Sequence, residues 1–291
     1  MLHCWRGPSA GSRSNKLKLR RTINAGLTYF AVILALLLSF FPIAYLLITS
    51  FKPPELTFAI PPVWAFNPTL QNYADVFAGG TFTRYFLNSL TIALVTTSVA
   101  LLFGTFAGYG FARFQFRGTT WMRLGSLVPQ MLPPITIIVP LYVLFNSFRL
   151  IDTLWALIVS YLTFSIPLSI WMMTSFFADV PRELEESAMI DGCTRLGALI
   201  RVSLPIVAPG LAATAILSFI YCWNEFLYAV ILTGRDARTL PVTITSYMTN
   251  KAILWGRIAA SGSLVLVPVL AFALLAQRYL VRGLSRGAIK G

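Results

Sequence analysis

Six largely apolar stretches, at roughly 26–50, 86–111, 124–148, 154–177, 206–232 and 259–280, constrain this chain more than any other feature. About 20 apolar residues wound as a helix cross the hydrocarbon core of a bilayer. Lipid offers no partner to backbone N–H and C=O groups, so each stretch must satisfy its own as a helix. Of 291 residues, 57% are hydrophobic and 11% charged, and the mean hydropathy of +0.73 is too high for a soluble domain of this length. The fold class expected is all-α, a polytopic membrane protein with six transmembrane helices. No Pro/Gly/Ser-rich linker and no internal repeat divides it, so 26–291 reads as one membrane domain behind a disordered basic tail over 1–25.

Charge orients these spans. Sixteen of the 23 Lys/Arg residues fall in the N-terminal tail, the second-to-third connection (Arg113, Arg117, Arg123), the fourth-to-fifth connection (Arg182, Arg195, Arg201) and the C-terminal end. The positive-inside rule then puts both termini and the fourth-to-fifth connection in the cytoplasm. The net charge of +13 therefore reports topology and gives no reason to invoke nucleic acid. The first apolar run is too long for a signal-peptide core and reads as a retained anchor. Cys4, Cys193 and Cys222 form no CxxC pair and lie in three separate regions, which argues against a disulfide framework or a metal site. A single histidine, His3, leaves almost no room for catalytic imidazole chemistry, and no catalytic residue is assigned.

Between the fourth and fifth spans lies a charged, amphipathic island, the loop 179–205, whose core from Glu183 to Pro205 is ELEESAMIDGCTRLGALIRVSLP. Pro181 suits a first helical turn, and Asp179, Glu183 and Glu185 put negative charge at the positive end of the helix dipole. A helix over 181–190 is predicted, ended by Gly192 in a left-handed conformation. A second helix follows, capped by Thr194 and stopped by Pro205 through its restriction of Leu204. Leu184 and Ala188 share an apolar face, small Ser187 permits close approach, and Glu183 and Glu186 offer carboxylates to a basic partner. A helix pair of this kind could simply lie on the membrane. Its five acidic residues sit badly beside an anionic leaflet, however, and favour docking to a protein.

Spacing supplies a resemblance. Glu186-Ser187-Ala188, Gly192, Val202 and Leu204-Pro205 resemble the Glu-Ala-Ala signature of binding-protein-dependent ABC importer permeases: three residues to Gly, nine to Ile, one to Leu-Pro. NPTLQNYADVF, YGFARFQFRG, WNEF and RGLSRGAIKG resemble the carbohydrate-uptake branch of that family, the maltose and glycerol-phosphate type. The resemblance implies a type I importer fold in which the 183–205 loop couples to an ATP-binding subunit through Glu183, Glu186, Ser187, Ala188, Gly192, Leu204 and Pro205. It also implies a dimer of those ATP-binding subunits, a second related permease and an extracytoplasmic solute-binding protein as partners. ATP and Mg would be used by the partner subunit, since no Walker-type loop occurs here and this chain binds no cofactor. The transported solute would be a sugar or a sugar-like molecule, and the setting a bacterial or archaeal inner membrane.

Along the fifth span, Thr214, Ser218, Tyr221, Glu225 and Tyr228 recur at steps of four and three and so share one helical face. With Asn224 and Trp223 they define a candidate substrate path: Tyr221, Trp223, Asn224, Glu225 and Tyr228. Thr214 and Ser218 are better explained by bonds to their own i−4 carbonyls. The Met131-Leu132-Pro133-Pro134 cluster marks a possible hinge in the third span, because proline frees carbonyls and bends helices. An ion-gradient-driven secondary transporter is the main rival, but it calls for buried charge relays where Glu225 is almost alone within the spans. A membrane enzyme would need clustered His, Cys or Asp. A permease for a non-sugar solute differs only in substrate.

Overall fold

The computed structural model describes residues 10–114, 117–249 and 253–287, with side chains over 25–114, 117–249 and 253–275. Residues 1–9, Gln115 and Phe116 of YGFARFQFRG, and 288–291 of RGLSRGAIKG lie outside the described residues. The chain begins with α1 (Ala10–Ser50), and an irregular segment then leads to α2 (Gln71–Ala78) and α3 (Thr81–Arg113). Next come α4 (Thr119–Gly125), α5 (Val128–Met131), α6 (Pro134–Ser147) and α7 (Leu154–Ala178). The charged island folds as α8 (Arg182–Ile190), α9 (Arg195–Ala198), a π turn over Leu199–Ser203 and α10 (Leu204–Ile206). It is followed by α11 (Ala208–Trp223), α12 (Leu227–Leu232), α13 (Leu240–Thr245) and α14 (Trp255–Gly287).

Four helical stretches are long and apolar enough to cross a bilayer unaided: Ala25–Ser50, Thr81–Arg113, Leu154–Ala178 and Trp255–Leu275. Two bent pairs raise the number to six. Thr119–Met131 meets Pro134–Ser147 at 88°, and Arg195–Ile206 meets Ala208–Trp223 at 76°. The third span, expected as one helix over 124–148, is thus broken at Leu132-Pro133. Leu132 is extended (ψ 139), as a residue before proline must be, and Pro134 starts α6 where its missing N–H is harmless.

Three further expectations need correction. Helix α1 starts at Ala10, so the tail expected to be disordered over 1–25 has helical backbone over 10–25. Extending an existing helix through Lys, Leu and Arg avoids the cost of nucleation. Pro205 does not stop the second island helix. The preceding π turn closes through Leu204 N–H to the Leu199 carbonyl, and its wider ring admits the pyrrolidine at the start of α10. The fifth span is not one helix over 206–232, because it breaks across Asn224, Glu225 and Phe226.

The bundle centres on α3 and α7, its most extensive helix pair. Glycines let them touch: a Cβ on Gly104 would stand 2.4 Å from Ser169 Cβ, and one on Gly108 2.8 Å from Met173 Cβ. Helix α11 packs against α3, α7 and α14. The larger apolar core includes Ile92, Phe145, Tyr161, Phe219 and Trp223. A smaller one joins Tyr109, Met173, Phe177, Val180, Leu199 and Val207 beneath the island. Helix α1 packs on α14, and its most apolar stretch has no buried residue within the chain, a surface suited to lipid. At the far end of α1, Lys52 is buried beneath the rings of Tyr45, Trp64 and Phe66, 5.5 to 5.7 Å from each centroid. Asn72 of α2 donates to the carbonyls of Ser50 and Lys52, which folds the irregular segment back onto α1.

Candidate functional site

Apart from the continuation through Pro205, the island's caps and turns are built as its sequence suggests, with one addition that spacing does not reveal. Pro181, the predicted first residue, stands instead at the N-cap of α8, which begins at Arg182, with Glu183 and Glu185 in the first turn. Helix α8 ends in a Schellman turn: Gly192 has φ +89, its N–H donates to the Met189 carbonyl (3.1 Å), and Cys193 N–H donates to the Ala188 carbonyl (3.0 Å). Thr194 then caps α9, its hydroxyl accepting from Gly197 N–H at 3.1 Å. Glu183, Glu186 and Ser187 are exposed, as is Leu184, and Ala188 is half-buried. The Ser187 hydroxyl donates to the Glu183 carbonyl, so the residue presents a small, already satisfied surface. Leu204 is half-buried and Pro205 exposed.

Glu185, noted above only for its charge near a helix N-terminus, is turned inward and is 5% exposed. Its carboxylate accepts from Tyr109 Oη (2.9 Å) and Arg113 Nε (2.8 Å), pairs with Arg113 Nη2 (2.8 Å), and accepts from the Ser203 hydroxyl. Arg113 also donates to the Val180 carbonyl at 3.0 Å. Burial pushes the Glu185 carboxyl up, but the bonds from Arg113, Ser203 and Tyr109 and the Arg113 charge outweigh it and hold the group below its ordinary value. Tyr109 and Arg113 lie one turn apart at the end of α3, and that (i, i+4) pairing at the edge of an apolar run was the one available signal.

The second candidate site is a cavity of about 730 Å³ where the breaks in the third and fifth spans meet. Pro129, Gln130, Leu132 and Pro134 line one side, and Tyr221, Asn224, Glu225 and Tyr228 line the other, with Phe164 between them. Tyr221 packs edge-on against Phe164 with centroids 4.8 Å apart and is 58% exposed at the rim. Glu225 accepts from the N–H groups of Tyr228 (3.0 Å) and Ala229 (3.2 Å), so its carboxylate caps α12 across the break. Asn224 donates to its own Ile220 carbonyl and remains exposed. The expected single stripe therefore divides. Tyr228 reaches the cavity from beyond the break. Trp223, predicted to face the path, is 1% exposed, packs against Phe219 and Phe86, and donates Nε1–H to Val265 O at 3.3 Å. A helix wide enough to carry the stripe is also narrow enough to turn residue 223 into the core. Thr214 bonds its i−4 carbonyl as expected, whereas the Ser218 hydroxyl is buried with no such bond among the described residues.

A bundle with two broken spans, a cavity where the breaks meet and a charged island of short helices between the fourth and fifth spans has the fold of ABC importer permeases. Its fold matches a bacterial ABC transporter involved in the import of the acidic polysaccharide alginate (TM-score 0.65, 18% identity, 94% of this chain and 99% of that one). It also matches the MetNI methionine ABC transporter (TM-score 0.58, 17% identity, 70% of this chain and 97% of that one). The family model described as "Binding-protein-dependent transport system inner membrane component" matches residues 100–286, and the chain belongs to that family. It is 35% identical to the trehalose transport system permease protein SugB of Mycobacterium tuberculosis, over 91% of this chain and 98% of that protein. It is 34% identical to the trehalose/maltose transport system permease protein MalG of Thermococcus litoralis, over 91% and 96%. The chain is thus a membrane-embedded permease rather than an enzyme, and the secondary-transporter reading falls.

Proposed function

We propose that this permease forms half of the translocation path of an ATP-driven carbohydrate importer and couples to an ATP-binding subunit through the outward face of α8. The carrying observation is the division of labour on that helix, with Glu183, Glu186 and Ser187 exposed and Glu185 turned into the bundle. Exposed carboxylates on a short helix, ending at a fixed Gly192 bend, suit a basic groove on a soluble partner. Two ATP-binding subunits supply ATP and Mg chemistry, a second permease completes the path, and an extracytoplasmic solute-binding protein delivers the sugar. The island and both termini lie in the cytoplasm, as the Lys/Arg distribution requires, and the membrane is the cytoplasmic one. Carbohydrate is favoured by the names of the relatives, which include trehalose, maltose and diacetylchitobiose systems. The aromatic and amide groups around the cavity, Tyr221, Phe164, Gln130 and Asn224, suit a polyhydroxylated solute. The test is uptake of labelled trehalose, maltose and diacetylchitobiose by cells expressing the complete system. ATP-dependent uptake of one of them that ignores an uncoupler at constant ATP is expected. Uptake that collapses with the uncoupler, or a reporter active only in the cytoplasm that works when fused near Gly79, refutes it.

A further inference from the structure

The coupling reading leaves open how a push on α8 reaches the cavity at the Asn224 break, and the geometry points to Glu185. We propose that the buried Glu185 carboxylate is the joint that transmits movement of α8 to the spans, acting as a positioning residue distinct from the docking face. This proposal rests on the docking role of α8.

Three separate elements converge on that one carboxylate. Tyr109 and Arg113 come from the end of α3, Ser203 from the π turn that leads through α10 toward α11, and Glu185 itself from α8. Apolar contact is non-directional and can slide. The charge-assisted bond from Arg113 Nε to Glu185 Oε1 is directional, and the same guanidinium is tied through Nη2 to the Val180 carbonyl, which fixes its orientation; the side chains of Arg113 and Glu185 are only 8% and 6% exposed. The pair therefore resists pulling as well as pushing. Beyond the joint, each recipient is rigid. Helix α3 is in backbone-close contact with α7 at Gly104 and Gly108, so the two move as one body. The π turn reaches α11 through α10 and the 76° bend at Val207, whose side chain is buried in the same small core as Tyr109 and Leu199, and α11 then runs 16 residues to the break at Asn224, about 24 Å at 1.5 Å per residue. That break borders the cavity, as does Phe164 of α7. One carboxylate thus connects the docking helix, through α3 and α7, to Phe164 and, through the π turn and α11, to the fifth-span wall of the cavity. Glu183 and Glu186, exposed on the same helix, touch neither wall.

The test needs no knowledge of the transported solute. In the assembled complex with its partner permease and ATP-binding subunits, the native cysteines are replaced and a single Tyr221→Cys is placed at the cavity rim. The rate of alkylation by N-ethylmaleimide is then measured with and without ATP plus vanadate. With Glu185 intact, nucleotide trapping should change the rate at least fivefold. In Glu185→Gln, the ATP-binding subunit should co-purify and trap nucleotide while the rate changes less than twofold. Arg113→Lys, which keeps the charge but loses the fork, should respond in between. A fivefold response in Glu185→Gln overturns the joint and leaves docking untouched. Loss of the ATP-binding subunit from Glu185→Gln overturns it too, since the pair would then shape the dock. Failure of both variants to accumulate in the membrane assigns the pair to folding alone and likewise overturns the proposal. Gly192→Val in the same assay separates the two readings: if it retains its ATP-binding subunit and responds normally, the docking role itself fails.

Discussion

Gly192 offers a graded test of whether the shape of the α8 turn matters, because only its backbone constrains it. A Cβ built there meets nothing within 4 Å, so no clash confuses the result. The cost of a side chain is the left-handed conformation at φ +89, about 1–2 kcal/mol for an L-residue. Holding the turn are two backbone hydrogen bonds, about 0.5–1.5 kcal/mol each, and the Thr194 cap, about 1 kcal/mol. These restraints total about 2–4 kcal/mol, so Gly192→Ala should keep the turn with a modest loss. A β-branched residue adds χ1 crowding to the same strained backbone, and in Gly192→Val strain becomes comparable to the restraint, releasing the turn in much of the population. Asn tolerates the left-handed region and should behave like Gly. Co-purification of the ATP-binding subunit and ATP-driven uptake should therefore rank Gly and Asn first, Ala next, and Val last by about tenfold or more, the equivalent of about 1.4 kcal/mol. Full activity in Gly192→Val refutes a coupling role for the turn. Equal damage in Asn and Val shows that surface shape, not backbone conformation, is what the partner senses.

Other outcomes follow from single contacts. Trp223→Ala should cost about 3–5 kcal/mol of stability, seen as a lower thermal midpoint of the purified complex, whereas Tyr221→Ala, at the exposed rim, should alter uptake with little change in that midpoint. Gly104→Ala drives a Cβ to 2.4 Å from Ser169 and should cost about 1–3 kcal/mol by prising α3 from α7, with Gly110→Ala, which meets nothing within 4 Å, as the neutral control in the same melt. Asp152 accepts from the N–H groups of Gly234, Arg235, Asp236 and Ala237; burial raises its carboxyl, and those bonds more than offset it, leaving the group below its ordinary value. A depressed carboxylate contributes stability above its unfolded value and loses it as pH falls through the folded one. Protection of the 234–237 amides, measured against intrinsic exchange at each pH, should thus hold at neutral pH and fall only in strong acid. Asp152→Asn suits the left-handed backbone of residue 152 (φ +60) but should remove the pH dependence and about 1–3 kcal/mol of protection.

The helical character of the chain, its six crossings, the hinge at Pro133 and Pro134 and the Gly192 bend are written in local chemistry. Lipid forbids unpaired backbone, proline removes an N–H, and a left-handed turn selects glycine. Each of these follows from neighbours within a few positions, which a sequence displays. The family signature was legible for the same reason, as a spacing along one loop.

What tertiary structure decided is which side chains face one another. Three carboxylates, Glu183, Glu185 and Glu186, lie within four positions of α8, and nothing local says that the middle one turns inward. That choice depends on Arg113, 72 positions away, and on Ser203 being lifted toward it by a π turn. The fifth span breaks at Asn224 without proline or glycine, because the Glu225 carboxylate satisfies the N–H groups that the break exposes. Helical periodicity alone therefore carried the stripe past the point where the helix ends and turned Trp223 toward the path, when packing against Phe219 and Phe86 had drawn it into the core. Period fixes the angle between residues on one helix. Only the packed bundle fixes where that helix stops and which of its faces meets a neighbour.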